Sequence, residues 1–188
     1  MKYYKLVYDY EHDDRYINCI GGNIGGMNEY IVSSGTYMTD WEIFKLKYDS
    51  AEGDIMSDYA ANVYGWLMIS NTLCELLLKS DIKANLQFLP VELVDVSSGN
   101  INDSYKVVNI LDVIDAIDLK HSKYDVFKLD SEKIIMVEKF ALKEEVVKDY
   151  DIFRLKNDTI PIFVSEKIKR LIKKNKLSGF VFREVPVY

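Results

Sequence analysis

The apolar and polar positions of this 188-residue chain follow the two-residue period of β-strands over much of its length. Runs rich in aromatic and β-branched residues predict strands. These runs are residues 2–10, 43–48, 66–69, 86–96, 105–110, 133–142, 151–155, 160–164 and 180–187. The spacing of residues 111–117 predicts a short helical turn, and the glycines of residues 21–26 predict a loop, a tight turn or a β-bulge.

Two further segments carry apolar residues at the spacing of an amphipathic helix. The first helix is expected after Ser70 or Thr72 and the second after Ser165, because their hydroxyl groups suit the first position of a helix. The two units of strand, serine, helix and strand lie 95 residues apart. An ancient duplication would explain this echo, and so would the apolar spacing that any two such units share. Both explanations stay open at this point.

These elements predict an α+β fold, a mixed sheet with at least two packed helices, built around the two strand-helix-strand units. We expect a single domain over residues 1–188, in which residues 1–60 add a strand or two and longer loops to a core of residues 61–188. Hydrophobic residues make up 48% of the chain, enough to bury a full core, so intrinsic disorder is excluded.

The negative charge of the chain is unevenly distributed. Residues 1–60 hold 11 Asp and Glu against five Lys and Arg, whereas residues 61–188 hold 19 of each, so the whole net charge of −6 lies in the first part. Such a surface repels phosphate backbones, which excludes nucleic acid as an expected partner. The same surface would attract a basic partner and accelerate its association.

Cysteine content and hydropathy indicate where the protein acts. Cys19 and Cys74 are too few for a disulfide framework or a four-cysteine zinc site, and we expect both to pack in the interior. No segment reaches the roughly 18 apolar residues of a membrane span, and the first residues lack the apolar stretch of a signal peptide. A reduced, cytoplasmic protein without a membrane partner is therefore expected.

The densest cluster of potential metal ligands follows the first predicted strand. It consists of Asp9, Glu11, His12, Asp13 and Asp14. Hard cations such as Mg²⁺ and Ca²⁺ take carboxylate ligands, so a small metal-dependent hydrolase that uses this N-terminal cluster is one hypothesis. The spacing lacks the EF-hand pattern and its glycine, which favours a solvated loop.

An electrostatic role in partner binding is the other hypothesis for these carboxylates. Tyrosine is enriched at binding surfaces, so the tyrosines in or near the loops of the acidic part are predicted interface anchors. The complete predicted partner-binding set is Asp9, Glu11, Asp13, Asp14, Tyr16, Tyr30, Tyr37, Glu52, Asp54, Asp58 and Tyr59.

A series of short motifs resembles a known family. The motifs are Y-K-V-V-N-I at 105–110, D-A-I-D at 115–118 with Ser122 after it, D-I-F-R-L at 151–155, I-F-V-S-E at 162–166 and L-S-G-F-V-F-R-E-V at 177–185. In this order they resemble a family of bacterial immunity proteins from polymorphic toxin systems, formerly described as a domain of unknown function. The resemblance covers most of residues 60–185 and brings no catalytic motif with it.

The resemblance implies a cytoplasmic antidote. Such a protein would bind a cognate toxin domain, block its active site or substrate groove, and need neither turnover nor a cofactor. We expect the acidic, tyrosine-bearing loops to meet a basic surface of that toxin. The metal-dependent hydrolase remains the alternative.

Overall fold

The computed structural model describes residues 1–11, 15–129 and 132–188 and consists mainly of strands. The strands are β1 (Tyr3–Tyr8), β2 (Asn18–Cys19), β3 (Gly21–Asn23), β4 (Phe44–Tyr48), β5 (Tyr59–Asn62), β6 (Met68–Ser70), β7 (Leu86–Asp95), β8 (Ile101–Ile110), β9 (Val113–Ile114), β10 (Lys123–Leu129), β11 (Glu132–Lys139), β12 (Ile152–Leu155), β13 (Asp158–Ser165) and β14 (Phe180–Val185). The helices are α1 (Asn71–Lys79), α2 (Glu144–Val147), α3 (Glu166–Lys174) and a 3₁₀ helix (Glu29–Ser33).

Seven strands form a sheet that closes on itself. Their order is β2-β5-β6-β8-β7-β4-β3. The two end strands, β2 and β3, are separated in the chain only by Ile20, whose N–H donates to the Lys47 carbonyl of β4 at 2.8 Å. We call this closed sheet the first barrel. Side chains that alternate along the strands fill its interior, among them Leu46, Met68 and Leu93.

The second sheet also closes, through single bridges between residues. Its strands follow the order β14-β1-β13-β12-β9. Leu142 pairs in parallel with Val187, just beyond β14, and antiparallel with Ile117, just beyond β9. These bridges complete a second barrel, whose interior contains Phe153 and Phe163.

The two barrels share one topology. In each, a short strand runs parallel to the first strand of a hairpin (β2 beside β5, β9 beside β12), and the hairpin leads into a helix and a further strand. β8 lies between β6 and β7 in the first barrel, and β1 takes the same place between β13 and β14 in the second. The registers also agree, because Ser70 pairs with Tyr105 and Ser165 pairs with Tyr3. This agreement favours an internal duplication over chance similarity of apolar spacing.

An aspartate before each hairpin fixes the start of the helix that follows. The Asp58 carbonyl accepts the Ser70 N–H at 2.9 Å, and the Asp151 carbonyl accepts the Ser165 N–H at the same distance. The serine hydroxyls donate to the Oδ1 atoms of these aspartates. Ser70 also caps α1 by accepting the Leu73 N–H, whereas Ser165 makes no such side-chain bond to α3.

The second carboxylate oxygen of each aspartate accepts a hydrogen bond from the other strand-helix-strand unit, in the segment that follows its helix. Oδ2 of Asp58 accepts the Ser178 N–H, which follows α3, and Oδ2 of Asp151 accepts the Lys83 N–H, which follows α1, both at 2.9 Å. Ser178 and Lys83 are separated by the same 95 residues as the two helix-capping serines. We call these contacts the reciprocal aspartate bonds, and they join the two units in the manner of a symmetric dimer interface.

Both longer helices lie in the apolar core between the barrels. Leu73 and Leu77 of α1 and Ile168 and Ile172 of α3 are buried there, together with residues from the outer faces of both barrels. The predicted α+β class is nevertheless wrong, because strands hold 44% of the chain and helices 15%. The described α-helices are short, and the pattern analysis did not anticipate β5 or β10, so it underestimated the share of strand.

Two local predictions are also corrected. Residues 111–117 form β9 and the Ile117 bridge rather than a helical turn, because pairing with β12 and Leu142 overrides the apolar spacing. Gly21–Asn23 is a strand paired with β4 rather than a loop or turn. At Gly22 an added Cβ would lie 2.1 Å from the Lys45 carbonyl oxygen, so the glycine permits the close approach of β3 to β4.

Candidate partner interface

The structure divides the predicted partner-binding residues between the two ends of the first barrel. Tyr30 and Tyr37 lie before β4, and Glu52 and Asp54 lie after it. Because a strand crosses the barrel from end to end, the two pairs lie at opposite ends. The predicted set is therefore not one continuous patch.

The residues nearest Glu52 and Asp54 come from the segment before β2. Tyr16 forms a bridge with Ile55, and the Ile55 N–H donates to the Arg15 carbonyl at 3.0 Å. Asp9 accepts the N–H of Glu11, which is exposed. The predicted residues Asp13 and Asp14, and His12 beside them, lie outside the described residues.

Asp58, predicted as a carboxylate that faces the partner, and Tyr59, predicted as an anchor, both make contacts within the fold. Asp58 makes one of the reciprocal aspartate bonds and accepts the Ser70 hydroxyl. Tyr59 is 9% exposed and packs edge-on against Tyr8, with a ring centroid distance of 5.5 Å. A buried ring held between two barrels cannot serve as an anchor for a partner. Sequence position near an acidic loop gave no sign of this burial.

The other end of the first barrel is covered by residues 24–43, which we call the cap. This connection between β3 and β4 is 20 residues long, and connections of more than about 15 residues are uncommon outside functional loops. Its exposed large side chains are Tyr30 (61%), Ile31 (36%), Tyr37 (64%) and Ile43 (56%). The two isoleucines were not in the predicted set.

Hydrogen bonds from the barrel to the backbone hold the cap in place. The Trp66 indole N–H donates to the Glu29 carbonyl at 2.9 Å, and the Asn109 amide donates to the Thr36 carbonyl at 2.8 Å. At Gly35, where φ is +77°, an added Cβ would lie 2.4 Å from the Val113 side chain. The cap is thus fixed at both the 3₁₀ helix and the turn that follows it.

Aromatic rings form the floor beneath the cap. Trp41 meets Trp66 and Phe44 edge-on at centroid distances of 5.7 and 4.8 Å, and Tyr64 stacks on Trp66 at 4.8 Å. The Trp41 indole N–H donates to the Pro90 carbonyl at 2.8 Å. Trp66 is buried, so these rings support the cap from within the barrel.

The charged side chains of the cap are all acidic. Residues 16–44 contain no Lys or Arg, and their charged side chains are Glu29, Asp40 and Glu42. Residues 9–110, which hold the first barrel, contain 16 Asp and Glu and six Lys and Arg, a formal charge of −10. The rest of the chain is therefore positive by four charges. The absence of cations does not single out the cap, because residues 48–78 also contain no Lys or Arg and hold five Asp and Glu.

A basic cleft of about 1000 Å³ lies at the start of α3. Its carboxylates pair with its cations: Arg170 with Glu166 at 3.1 Å, Lys167 with Asp151 at 3.6 Å, and Lys2 with Glu184 at 3.2 Å. Lys169 lies over the Tyr4 ring. These internal pairs weaken the attraction that the cleft would exert on an anion.

Two observations concern metal ligands and nucleophiles in the part of the chain that the structure describes. Within it, no three His, Cys, Asp or Glu side chains are grouped so as to hold a metal ion. Cys19 and Cys74 are buried, as predicted, and burial raises the pKa of Cys19 to about 12 and that of Cys74 to about 11. Both thiols stay protonated at neutral pH, and a thiol is a poor nucleophile.

A rigid loop that exposes aromatic and aliphatic side chains within an acidic rim is typical of a surface that binds another protein. The chain belongs to the Immunity protein family (Imm11), whose family model matches residues 20–187. The match spans the strands of both barrels apart from β1 and β2, and it confirms the resemblance drawn from the sequence motifs. No curated protein matches the sequence. Among the described helices, none is long and apolar enough to cross a membrane.

Proposed function

We propose that the protein binds a cognate bacterial toxin domain and neutralises it by covering the toxin's active or substrate-binding surface. The observation that carries this proposal is the match of residues 20–187 to the immunity protein family. The exposed apolar side chains of the cap support it, because large exposed hydrophobic groups on a rigid scaffold are a feature of protein-binding sites. The complex forms in the cytoplasm of the bacterium that makes the toxin.

The charge of the first barrel supports a basic partner surface. A formal charge of −10 over residues 9–110 would draw in a cationic toxin face and raise the rate of association at low ionic strength. Asp9, Glu11, Glu52 and Asp54 contribute to this field without needing direct contact. Raising the salt concentration should therefore slow association more than it speeds dissociation.

Co-expression tests the proposal directly. The candidate toxin domain encoded beside the immunity gene is produced alone or with the protein, and cell survival and co-purification are measured. We expect survival and a stable complex only when both are present. Cell death despite co-expression, with no complex recovered, would overturn the proposal.

Stoichiometry separates a binding inhibitor from an enzyme. An inhibitor that covers its target should abolish the activity of the purified toxin in proportion to its concentration, with complete loss near one protein per toxin. A protein that modified the toxin by turnover would act at much lower ratios. The measurement is a titration of toxin activity at concentrations well above Kd.

A further inference from the structure

We propose that the cap is the surface that contacts the toxin, with Tyr30, Ile31, Tyr37 and Ile43 inserting into an apolar depression ringed by Lys and Arg. This inference rests on the proposed function and narrows it to one end of the first barrel. It excludes the opposite end, where Glu52 and Asp54 lie.

The exposure of the cap side chains is the first argument. Tyr30, Tyr37 and Ile43 each leave more than half of their surface in water. They lie within one connection of 20 residues, next to the partly exposed Ile31. Tyrosines that become buried against a partner are among the residues that dominate binding energy in protein interfaces.

The fixed backbone of the cap is the second argument. Trp66 and Asn109 hold the carbonyls of Glu29 and Thr36, and Asn28 accepts the Tyr30 N–H at 3.0 Å. Two further bonds join Met38 to the Gln87 side chain. A loop that is ordered before binding loses little conformational entropy on binding, which favours affinity.

Charge identifies the kind of partner. Glu29, Asp40 and Glu42 lie in the same 20-residue connection as the exposed apolar groups, and residues 16–44 contain no Lys or Arg. An apolar surface that carries only acidic charge complements a depression whose rim is basic. A second copy of this chain does not supply one at the same place, because a symmetric pairing of two caps would set carboxylates against carboxylates.

The internal repeat is the third argument. The cap connects the paired residues Gly22 and Leu46, and the equivalent connection of the second barrel, between Ile117 and Leu142, is the hairpin β10–β11. The scaffold is shared and this connection differs completely. Binding elements are characteristically carried by variable loops on a rigid scaffold.

Matched double variants test the assignment with the inactive toxin domain as the probe. Y30A with Y37A should weaken Kd by at least about 30-fold, as expected for interface anchors, with an unchanged melting temperature because both side chains are exposed. Y188A with I160A removes two exposed side chains (56% and 61%) from the second barrel and should leave Kd within about 2-fold.

Charge variants at the two barrel ends complete the test. D40N with E42Q should slow association several-fold at low salt, whereas E52Q with D54N at the opposite end should have the smaller effect. Wild-type affinity in the Tyr30/Tyr37 variant, or a larger effect of the Glu52/Asp54 pair, would overturn the assignment while leaving the proposed function intact. Failure of the wild-type protein to bind the toxin would instead overturn the proposed function.

Discussion

The two barrels show how one scaffold serves two purposes. Both use the same strand order, the same aspartate before the hairpin and the same serine before the helix. They differ in one connection. This connection leads to Leu46 of β4 in the first barrel and to the bridge residue Leu142 in the second. In the first barrel this connection is the cap, and in the second it is the hairpin β10–β11. The shared parts therefore hold the fold together, and the differing parts are free to meet partners.

The net formal charge also differs between the two barrels. The first barrel carries a formal charge of −10 over residues 9–110, and the remaining residues carry an excess of four cations. α3 carries five cations, of which Lys167 and Arg170 pair with nearby carboxylates, whereas the cap has no Lys or Arg. This difference in charge is the reason that we place the proposed partner surface on the acidic barrel.

The largest expected loss of stability comes from core substitutions, which also test whether the two barrels unfold together. Met68 and Phe163 stand two residues before the capping serines and are fully buried. M68A and F163A should each lower the free energy of unfolding by about 2–5 kcal/mol, because each leaves a cavity. Both tryptophans lie in the first barrel, so fluorescence reports on it and far-UV circular dichroism reports on the whole.

The shared core between the barrels predicts that the two signals coincide during urea unfolding of either variant. Separate transitions in F163A would show that the second barrel unfolds alone. I160A, which alters a side chain 61% exposed, is the control and should be nearly neutral.

The reciprocal aspartate bonds predict a smaller, paired effect. D58A and D151A should each destabilise the protein by about 1–3 kcal/mol, because each leaves donors from both units without an acceptor. D58N and D151N retain one side-chain oxygen and should recover part of the loss. Chemical denaturation measures this, and strongly unequal losses would contradict the structural equivalence of the two sites.

A still smaller loss of stability is expected from substituting two tyrosines at equivalent positions of the two barrels. The Tyr105 hydroxyl donates to the Ser57 carbonyl at 2.7 Å. The Tyr3 hydroxyl donates to the Val147 carbonyl and lies 3.1 Å from the Tyr150 carbonyl. Ser57 and Tyr150 directly precede the two aspartates. Y3F and Y105F should each cost about 1 kcal/mol. Burial raises the pKa of both, to about 12 for Tyr3, so the cost should be constant from pH 6 to pH 9. A cost that falls towards pH 9 would show that these hydroxyls ionise.

The smallest expected effect is on the pH dependence of stability, and it comes from Asp95 of the first barrel. Hydrogen bonds, chiefly from the Ser98 hydroxyl and also from Ser50, lower its pKa from 3.8 to about 2. A lowered pKa stabilises the folded state fully above pH 3.8, and this stabilisation is lost as the pH falls towards 2. D95N should therefore melt lower at pH 7 and change less in melting temperature between pH 4 and pH 2.

Thermal unfolding at several pH values checks this prediction. The control is D103N, because Asp103 is exposed on β8, whereas the Asp95 carboxylate accepts hydrogen bonds from Ser50, Ser97 and Ser98. An acid response in D95N equal to that of the wild type would show that other carboxylates govern this range.

The sequence pattern located most strands because aromatic and β-branched runs mark them, and it located both longer helices because serine precedes each apolar stripe. Of the tyrosines that it placed among the binding residues, Tyr30 and Tyr37 are exposed. It could not distinguish them from Tyr59, because exposure depends on which strand covers a residue. Asp58 shows the same limit, since its partner Ser178 is 120 residues away in the chain.

By itself the sequence determined the family, the local elements and the acidic character of the first part, because these depend on residue type and short spacing. Only the tertiary structure decided that the sheets close into two equivalent barrels and that β1 completes the second of them. It also decided that the predicted binding residues divide between opposite barrel ends. These properties depend on pairings between distant residues, which no local pattern of hydrophobicity or charge encodes.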